Sequence, residues 1–282
     1  MLLGPATACS PRHFAESVLL GNHFELVRDV PYGGHRQQRL DVYRTRDGAQ
    51  LAPVIIFLYG GRWQRGFKEE YRLLGDALTR QGVVAVVPDY RRYPEVRFPV
   101  WLEDAALAVR WVRDSIAPFG GDSARIFVMG HSSGAHTAAL LALDRRYLED
   151  AGVPPSAVRG VISLAGPVAT TWTDSDVQAL MGPRERWPAT YPLEQVTGSA
   201  RPLLLLHGAR DQLVSSANSI RLAARIRALG GCAPTRVYRG LGHVGIMIAL
   251  ALSRFQIAPV LDDVMTFVRR PEARECLQRT PS

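Results

Sequence analysis

Lysine is almost absent from this sequence. Lys68 is the only one, so 33 of the 34 basic residues are arginine. Against 26 acids they leave a formal net charge of +8. Such a balance invites a nucleic-acid reading, because arginines neutralise phosphates. Blocks of basic residues are lacking as well: the longest runs are the pairs Arg91-Arg92, Arg145-Arg146 and Arg269-Arg270. Scattered charge reads as solvated surface, so no nucleic-acid partner is expected. Cysteine is scarce too. Cys9, Cys232 and Cys276 stand far apart without metal-ligand spacing. Neither a metal site nor a disulfide framework is expected, although one bond among the three stays open.

No apolar run reaches the roughly 18 residues of a membrane-spanning helix, and internal repeats and low-complexity tracts are missing. A composition 47% hydrophobic and 21% charged excludes wholesale disorder. A chain of 282 residues can bury a sizeable core without metal or disulfide staples. Small residues lead up to Cys9 as at the end of a bacterial lipoprotein signal, but the basic start and the apolar run of about 7–15 residues are lacking. Residues 1–23 therefore read as an N-terminal segment, either a trimmed signal or an ordinary terminus. A membrane role is expected only through a lipid on Cys9. Cytoplasmic placement is favoured over a periplasmic lipoprotein, and the oligomeric state is left open.

What is present is an alternation of strand-length apolar runs and helical patterns. Residues 53–59, 83–87, 125–129, 160–164 and 202–206 are almost wholly apolar, as strands covered on both faces should be. Between them Trp101, Ala105, Val109, Val112 and Ile116 share one helical stripe. Another helix runs through Ile220, Ala223 and Ala224 and stops at Gly230-Gly231, and a last one carries Val260, Val264, Phe267 and Val268. Residues 24–30 and 39–43 alternate apolar with polar, the mark of half-exposed antiparallel strands. The pattern implies an α/β fold, a mostly parallel sheet with helices on both faces. The domain is placed at 24–270, with 271–282 as a tail. The stretch 166–201 lacks periodicity and is punctuated by Pro167, Trp172, Pro183, Trp187, Pro188 and Pro192. So long a loop suggests a lid or pocket wall.

The chemistry concentrates in Gly130-His131-Ser132-Ser133-Gly134, which follows one strand and opens a helix. A turn this sharp strains its central residue and presents the serine hydroxyl at the carboxyl edge of the sheet. A serine becomes a nucleophile only with a base, and the base must be oriented by an acid. Asp211 follows the strand at 202–206, and His243 lies in Gly240-Leu241-Gly242-His243 after the strand candidate 235–238. Both loops lie where active sites of open α/β sheets are built. Among the other histidines, His13, His23 and His35 precede the sheet core, His131 and His136 flank the serine, and His207 closes a strand. Asp174 and Asp176 are rival acids but follow no buried strand; Asp89 and Asp104 read as structural carboxylates. The developing oxyanion needs donors. The Ser133 N–H is one, and the glycine-rich loop Tyr59-Gly60-Gly61-Arg62-Trp63 can supply others.

With these residues the chain resembles an α/β-hydrolase of the carboxylesterase group that includes hormone-sensitive-lipase-like, feruloyl-esterase-like and prenylcysteine-methylesterase-like enzymes. The likeness runs from about Leu40 to Arg270. It rests on Leu40-Asp41-Val42-Tyr43, the loop 59–63, Asp89-Tyr90-Arg91-Arg92-Tyr93-Pro94-Glu95, Phe119-Gly120-Gly121-Asp122, the serine turn, and the Asp211 and His243 loops. The resemblance implies that the N–H groups of Gly61 and Arg62 join Ser133 in the oxyanion hole. It implies a cofactor-free serine esterase acting on small carboxylic esters through Ser132, Asp211 and His243. Short- to medium-chain or aryl esters are expected. Two positions depart from the family: Tyr59 replaces the usual histidine, and Arg62 the usual third glycine. Arg62 can reach an acidic substrate group or point outward, and the outward placement is favoured. Tyr59, Trp63, Trp172 and Trp187 are candidates for substrate contact, and residues 10–35 and 166–201 for shaping the pocket. The rival readings are an arylformamidase and a non-catalytic binding protein of the same fold.

Overall fold

A computed structural model describes residues 23–46, 51–168, 171–198 and 200–270. Cys9 and the tail from residue 271 lie outside the described residues. The chain opens with β1 (Phe24–Pro31), β2 (Arg39–Thr45) and β3 (Ala52–Leu58). Strands and helices then alternate through α1 (Arg72–Thr79), β4 (Val84–Pro88), α2 (Val100–Ser115), β5 (Gly121–His131) and α3 (Ser133–Leu143). A short α4 (Arg146–Asp150) leads to β6 (Val158–Leu164). The next segment holds α5 (Ser175–Met181) and two short 3₁₀ helices, Arg184–Thr190 and Pro192–Gln195. The chain continues with β7 (Leu203–Gly208), α6 (Ala217–Ala228), β8 (Thr235–Tyr238), α7 (Gly245–Ala251) and α8 (Val260–Arg269).

The eight strands form one sheet in the order β1-β2-β4-β3-β5-β6-β7-β8. β2 pairs antiparallel with both β1 and β4, and every later neighbour is parallel. This is the mostly parallel sheet that the apolar runs imply. Every residue of β4 and of β7 is buried, as required of strands covered on both faces. One group of helices, α1, α7 and α8, packs together, while α2 and α3 lie side by side against β5. All eleven residues of α3 are buried, so the helix behind the serine is core and has no solvent face.

β2 corrects one expectation. Leu40, Asp41, Val42 and Tyr43 are all buried, because β2 sits between β1 and β4 and not at the sheet edge. Asp41 on this strand is 1% exposed. The single lysine answers its charge: Lys68 Nζ lies 3.0 Å from Asp41, 2.7 Å from Asp29 and 2.6 Å from Glu69. Burial pushes the ammonium towards neutrality, but the hydrogen bonds to Asp29, Glu69 and Asp41 outweigh it and hold the lysine charged. Cys232 is disulfide-bonded, so the odd cysteine count did not exclude a bridge.

Candidate active site

Ser132 stands between the last residue of β5 and the first of α3. Its backbone has φ 54° and ψ −121°, a conformation that costs about 1–3 kcal/mol for a residue with a side chain. The surroundings hold it there. The Ser132 N–H donates to Leu164 O at 2.9 Å, and the His136 N–H donates to Ser132 O at 3.0 Å. Glycine is obligatory at 134, where a Cβ would stand 2.0 Å from Leu58 O and 2.4 Å from Tyr59 O. That near-contact presses the turn against the carboxyl end of β3, and the following loop passes directly beside Ser132.

Asp211 lies just beyond β7, and its carboxylate is fully buried. Oδ1 accepts the N–H groups of Leu213 at 2.9 Å and Val214 at 2.8 Å. Oδ2 lies 2.7 Å from His243 Nδ1 and 3.2 Å from His207 Nε2. Burial alone would raise this carboxyl's pKa; the Val214 N–H and the His243 hydrogen bond outweigh it and lower the pKa below the usual carboxylate range. An ionised Asp211 accepts a hydrogen bond from Nδ1–H of His243, which leaves Nε2 unprotonated and free to act as a base. His207 is buried, and its Nε2–H serves Val214 O at 2.8 Å while Nδ1 accepts from the Ser219 hydroxyl at 2.8 Å. It braces the acid loop from behind.

The loop after β3 carries three successive residues at positive φ, Gly61 at 124°, Arg62 at 56° and Trp63 at 58°. The N–H groups of Gln64 and Arg65 both donate to Gly61 O at 3.0 Å, and the Trp63 N–H donates to Ser133 Oγ at 3.3 Å. The Ser133 hydroxyl thus ties the loop to the start of α3. As the first residue of that helix, Ser133 has an N–H without an intrahelical acceptor. Ser133, Gly61 and Arg62 therefore lie on neighbouring backbone beside Ser132.

A cavity of about 420 Å³ opens here, lined by Ser132, Ser133, His243, Arg62, Trp63 and residues of the 166–177 and 213–218 stretches. A larger cavity, about 670 Å³, lies at the far end of α3 beside Asp144, Arg145, Arg146 and Arg201. It contains none of the candidate residues, and chemistry rather than size decides between the two. Of the four aromatic candidates, Trp63 and Trp172 line the cavity beside Ser132, their rings edge to face at 5.8 Å. Tyr59 and Trp187 do not. Tyr59 is fully buried, stacked on Tyr90 at 4.7 Å, with its hydroxyl donating to Asp89 at 2.7 Å. A buried phenol needs an acceptor, and Asp89 draws it away from the substrate side. The Trp187 indole N–H donates to Gly182 O at 3.0 Å inside the 166–201 segment. Residues 23–35 contribute nothing to the lining; residues 10–22 lie outside the described residues.

The rival acids are occupied elsewhere: Asp174 and Asp176 both bond Arg62. Asp104 is fully buried and takes Arg91 and Gln38, which fits its structural reading. Sequence reasoning missed His131 as a support. Its Nε2–H donates to His243 O at 3.0 Å and its ring lies 4.8 Å from the His243 ring. Burial and the neighbouring His243 lower its pKa to about 4, so it stays neutral. Its adjacency to Ser132 was the one available signal. Among the described residues, no cluster of three or more His, Cys, Asp or Glu side chains could hold a metal ion.

The BD-FAE family profile matches residues 40–226. The probable isoprenylcysteine alpha-carbonyl methylesterase ICME of Oryza sativa is 27% identical over 88% of this chain and 65% of its own length. Esterase LipQ of Mycobacterium tuberculosis is 29% identical over 88% of this chain and 64% of its own. The chain thus spans slightly less than two thirds of these curated relatives. Among solved structures, a truncated carbohydrate esterase from gut microbiota superposes with a TM-score of 0.76 at 21% identity, covering 88% of this chain and 97% of that one. The structural likeness establishes the α/β-hydrolase fold.

Proposed function

The chain belongs to the BD-FAE family, and on that premise we propose that it is a serine carboxylesterase working through Ser132, His243 and Asp211. One observation carries the reading: Asp211 Oδ2 lies 2.7 Å from His243 Nδ1, with His243 and the strained Ser132 lining one cavity. His243 Nε2 takes the hydroxyl proton as Ser132 Oγ attacks the ester carbonyl. Asp211 holds the imidazole in the required tautomer and stabilises its positive charge. The N–H groups of Gly61, Arg62 and Ser133 receive the oxyanion of the tetrahedral intermediate. His243 then protonates the leaving alcohol, and an acyl-enzyme remains on Ser132. Water, activated by the same histidine, releases the acid and restores the serine.

A cavity of about 420 Å³ walled by Trp63 and Trp172 suits small to medium acyl groups or an aryl group. The 166–201 segment supplies one wall, so it serves as lid and pocket insertion to the 24–270 hydrolase domain. One relative is named as an isoprenylcysteine alpha-carbonyl methylesterase, and a methyl ester of that kind belongs to the class of carboxylic esters proposed for this chain.

The test is Ser132→Ala. The wild type should hydrolyse p-nitrophenyl butyrate and label with a fluorophosphonate, and the variant should do neither while melting at the same temperature or higher. A wild-type chain that never labels would favour a non-catalytic binding protein. Faster turnover of N-formylkynurenine than of any ester would favour an arylformamidase.

A further inference from the structure

Arg62 stands where the family has glycine, and its side chain, about half exposed in keeping with the outward placement, is held by two aspartates. Its Nη2 donates to Asp174 Oδ2 at 3.0 Å and to both Asp176 oxygens at 2.8 Å. Gln64 Nε2 adds a bond to Asp176 Oδ2 at 3.2 Å. These contacts join the oxyanion loop to the 166–201 segment across the cavity mouth, which Arg62 and Asp174 both line. Asp174 occupies the N-cap position of α5, yet its carboxylate makes no capping bond to that helix. An N-cap aspartate ordinarily accepts an N–H of the first turn. Here it turns to the arginine instead. Among the described residues the ionisable groups that line the cavity are Arg62, Asp174 and His243; Asp176, bonded to Arg62 from outside the lining, brings the arginine–aspartate cluster to a formal charge of −1 in a chain whose net charge is +8.

We propose that Asp174 and Asp176 determine specificity: they neutralise Arg62 and leave the rim negative, so esters with a carboxylate on the acyl group are excluded and neutral esters are taken. The inference rests on the esterase reading. A carboxylate entering past Asp174 meets two like charges and an arginine already engaged. Without the pair, the same arginine would face the entering group directly and attract it. Both aspartates are about half exposed, so solvent and salt screen the effect to a moderate size.

The measurement is the ratio of kcat/KM for p-nitrophenyl hemisuccinate to that for p-nitrophenyl butyrate. Both have four-carbon acyl groups and one leaving group, so the ratio isolates the charge. The wild type should favour butyrate. Asp174→Asn with Asp176→Asn, isosteric at half-exposed positions, should raise the ratio about tenfold. Adding Arg62→Gln to that pair takes the cluster from a formal +1 to 0 and should bring the ratio back down to between the double variant's and the wild type's values. A ratio unchanged within about twofold in the double variant, or a wild type that prefers hemisuccinate, overturns the proposal. Calorimetric binding of monomethyl succinate and methyl butyrate to the same three chains, each also carrying Ser132→Ala, reads the selection without turnover. If the wild type hydrolyses neither ester, the esterase reading fails by itself. The calorimetric ratio then decides the charge filter: about tenfold tighter succinate binding in the double variant supports it, and equal binding refutes it.

Discussion

Asp211→Asn is the most incisive change, because the structure dictates which way the new amide must face. Oδ1 of Asp211 accepts two backbone N–H groups, from Leu213 and Val214. Turning the amide nitrogen to that side would set NH₂ against two N–H donors and lose both hydrogen bonds, at about 0.5–1.5 kcal/mol each. The carbonyl oxygen of the new amide therefore stays with the backbone, and its NH₂ takes the Oδ2 position, 2.7 Å from His243 Nδ1. A donor there forces Nδ1 to become an acceptor. The imidazole proton moves to Nε2, the atom that must accept the Ser132 proton, and the anion that stabilised the imidazolium is gone. The expected loss in kcat is about 10⁴-fold, which at 1.36 kcal/mol per decade is about 5.4 kcal/mol of transition-state stabilisation. Initial rates on p-nitrophenyl butyrate at saturating substrate measure it, and the melting temperature confirms that the fold survives. A variant within tenfold of wild type would refute the tautomer argument and leave Asp211 as a loop-bracing residue only.

Other expected outcomes follow from the same geometry. Trp172→Ala removes a cavity wall that is 7% exposed, and should cost about 3–5 kcal/mol of stability while shifting preference to longer acyl chains. A panel of p-nitrophenyl esters of rising acyl length, read beside denaturant melts, checks both; an unchanged ranking sinks the pocket assignment. Lys68→Met strips the counter-ion from buried Asp41 and should cost about 3–5 kcal/mol, much of it recovered in the double variant with Asp41→Asn. Urea titration reads the cycle, and no recovery would argue that Lys68 acts through its other partners. Burial lowers the pKa of His131 and His136 to about 4 each. The unfolded chain, with ordinary histidines near 6.5, binds more protons than the folded one between those values. Stability should therefore fall as the pH drops from about 6.5 towards 4, by up to about 3 kcal/mol per histidine. Melting curves across that range check the sign, and a flat profile contradicts it.

Much of this fold was legible in the chain because its strands are buried on both faces and need little context. The runs at 53–59, 83–87, 160–164 and 202–206 fall on β3, β4, β6 and β7 within two residues at each end. The helix Gly245–Ala251 was not anticipated, nor was Ser175–Met181. Each is only seven residues, too short for a full apolar stripe to stand out. β2 misled for a different reason. Its alternation of apolar with Asp41 looked half-exposed, and Lys68, arriving from a short 3₁₀ helix after β3, together with the Asp29 N–H makes a buried aspartate tolerable.

The sequence alone pointed to the proposed chemistry: a serine in a strand-to-helix turn, then an acid and a histidine each after a later strand. Those positions follow from chain order and from the rule that loops at the carboxyl ends of parallel strands converge. Side-chain direction is another matter, because it is set by partners remote in the chain. Tyr59 and Trp63 sit four residues apart in one loop, yet one turns to Asp89 and the other lines the cavity. Arg62 meets aspartates 112 and 114 residues away. A lone arginine in a glycine-rich loop carries no sign of that encounter. The tertiary structure decided it, by folding the 166–201 segment across the mouth of the site and bringing two carboxylates within reach of one guanidinium.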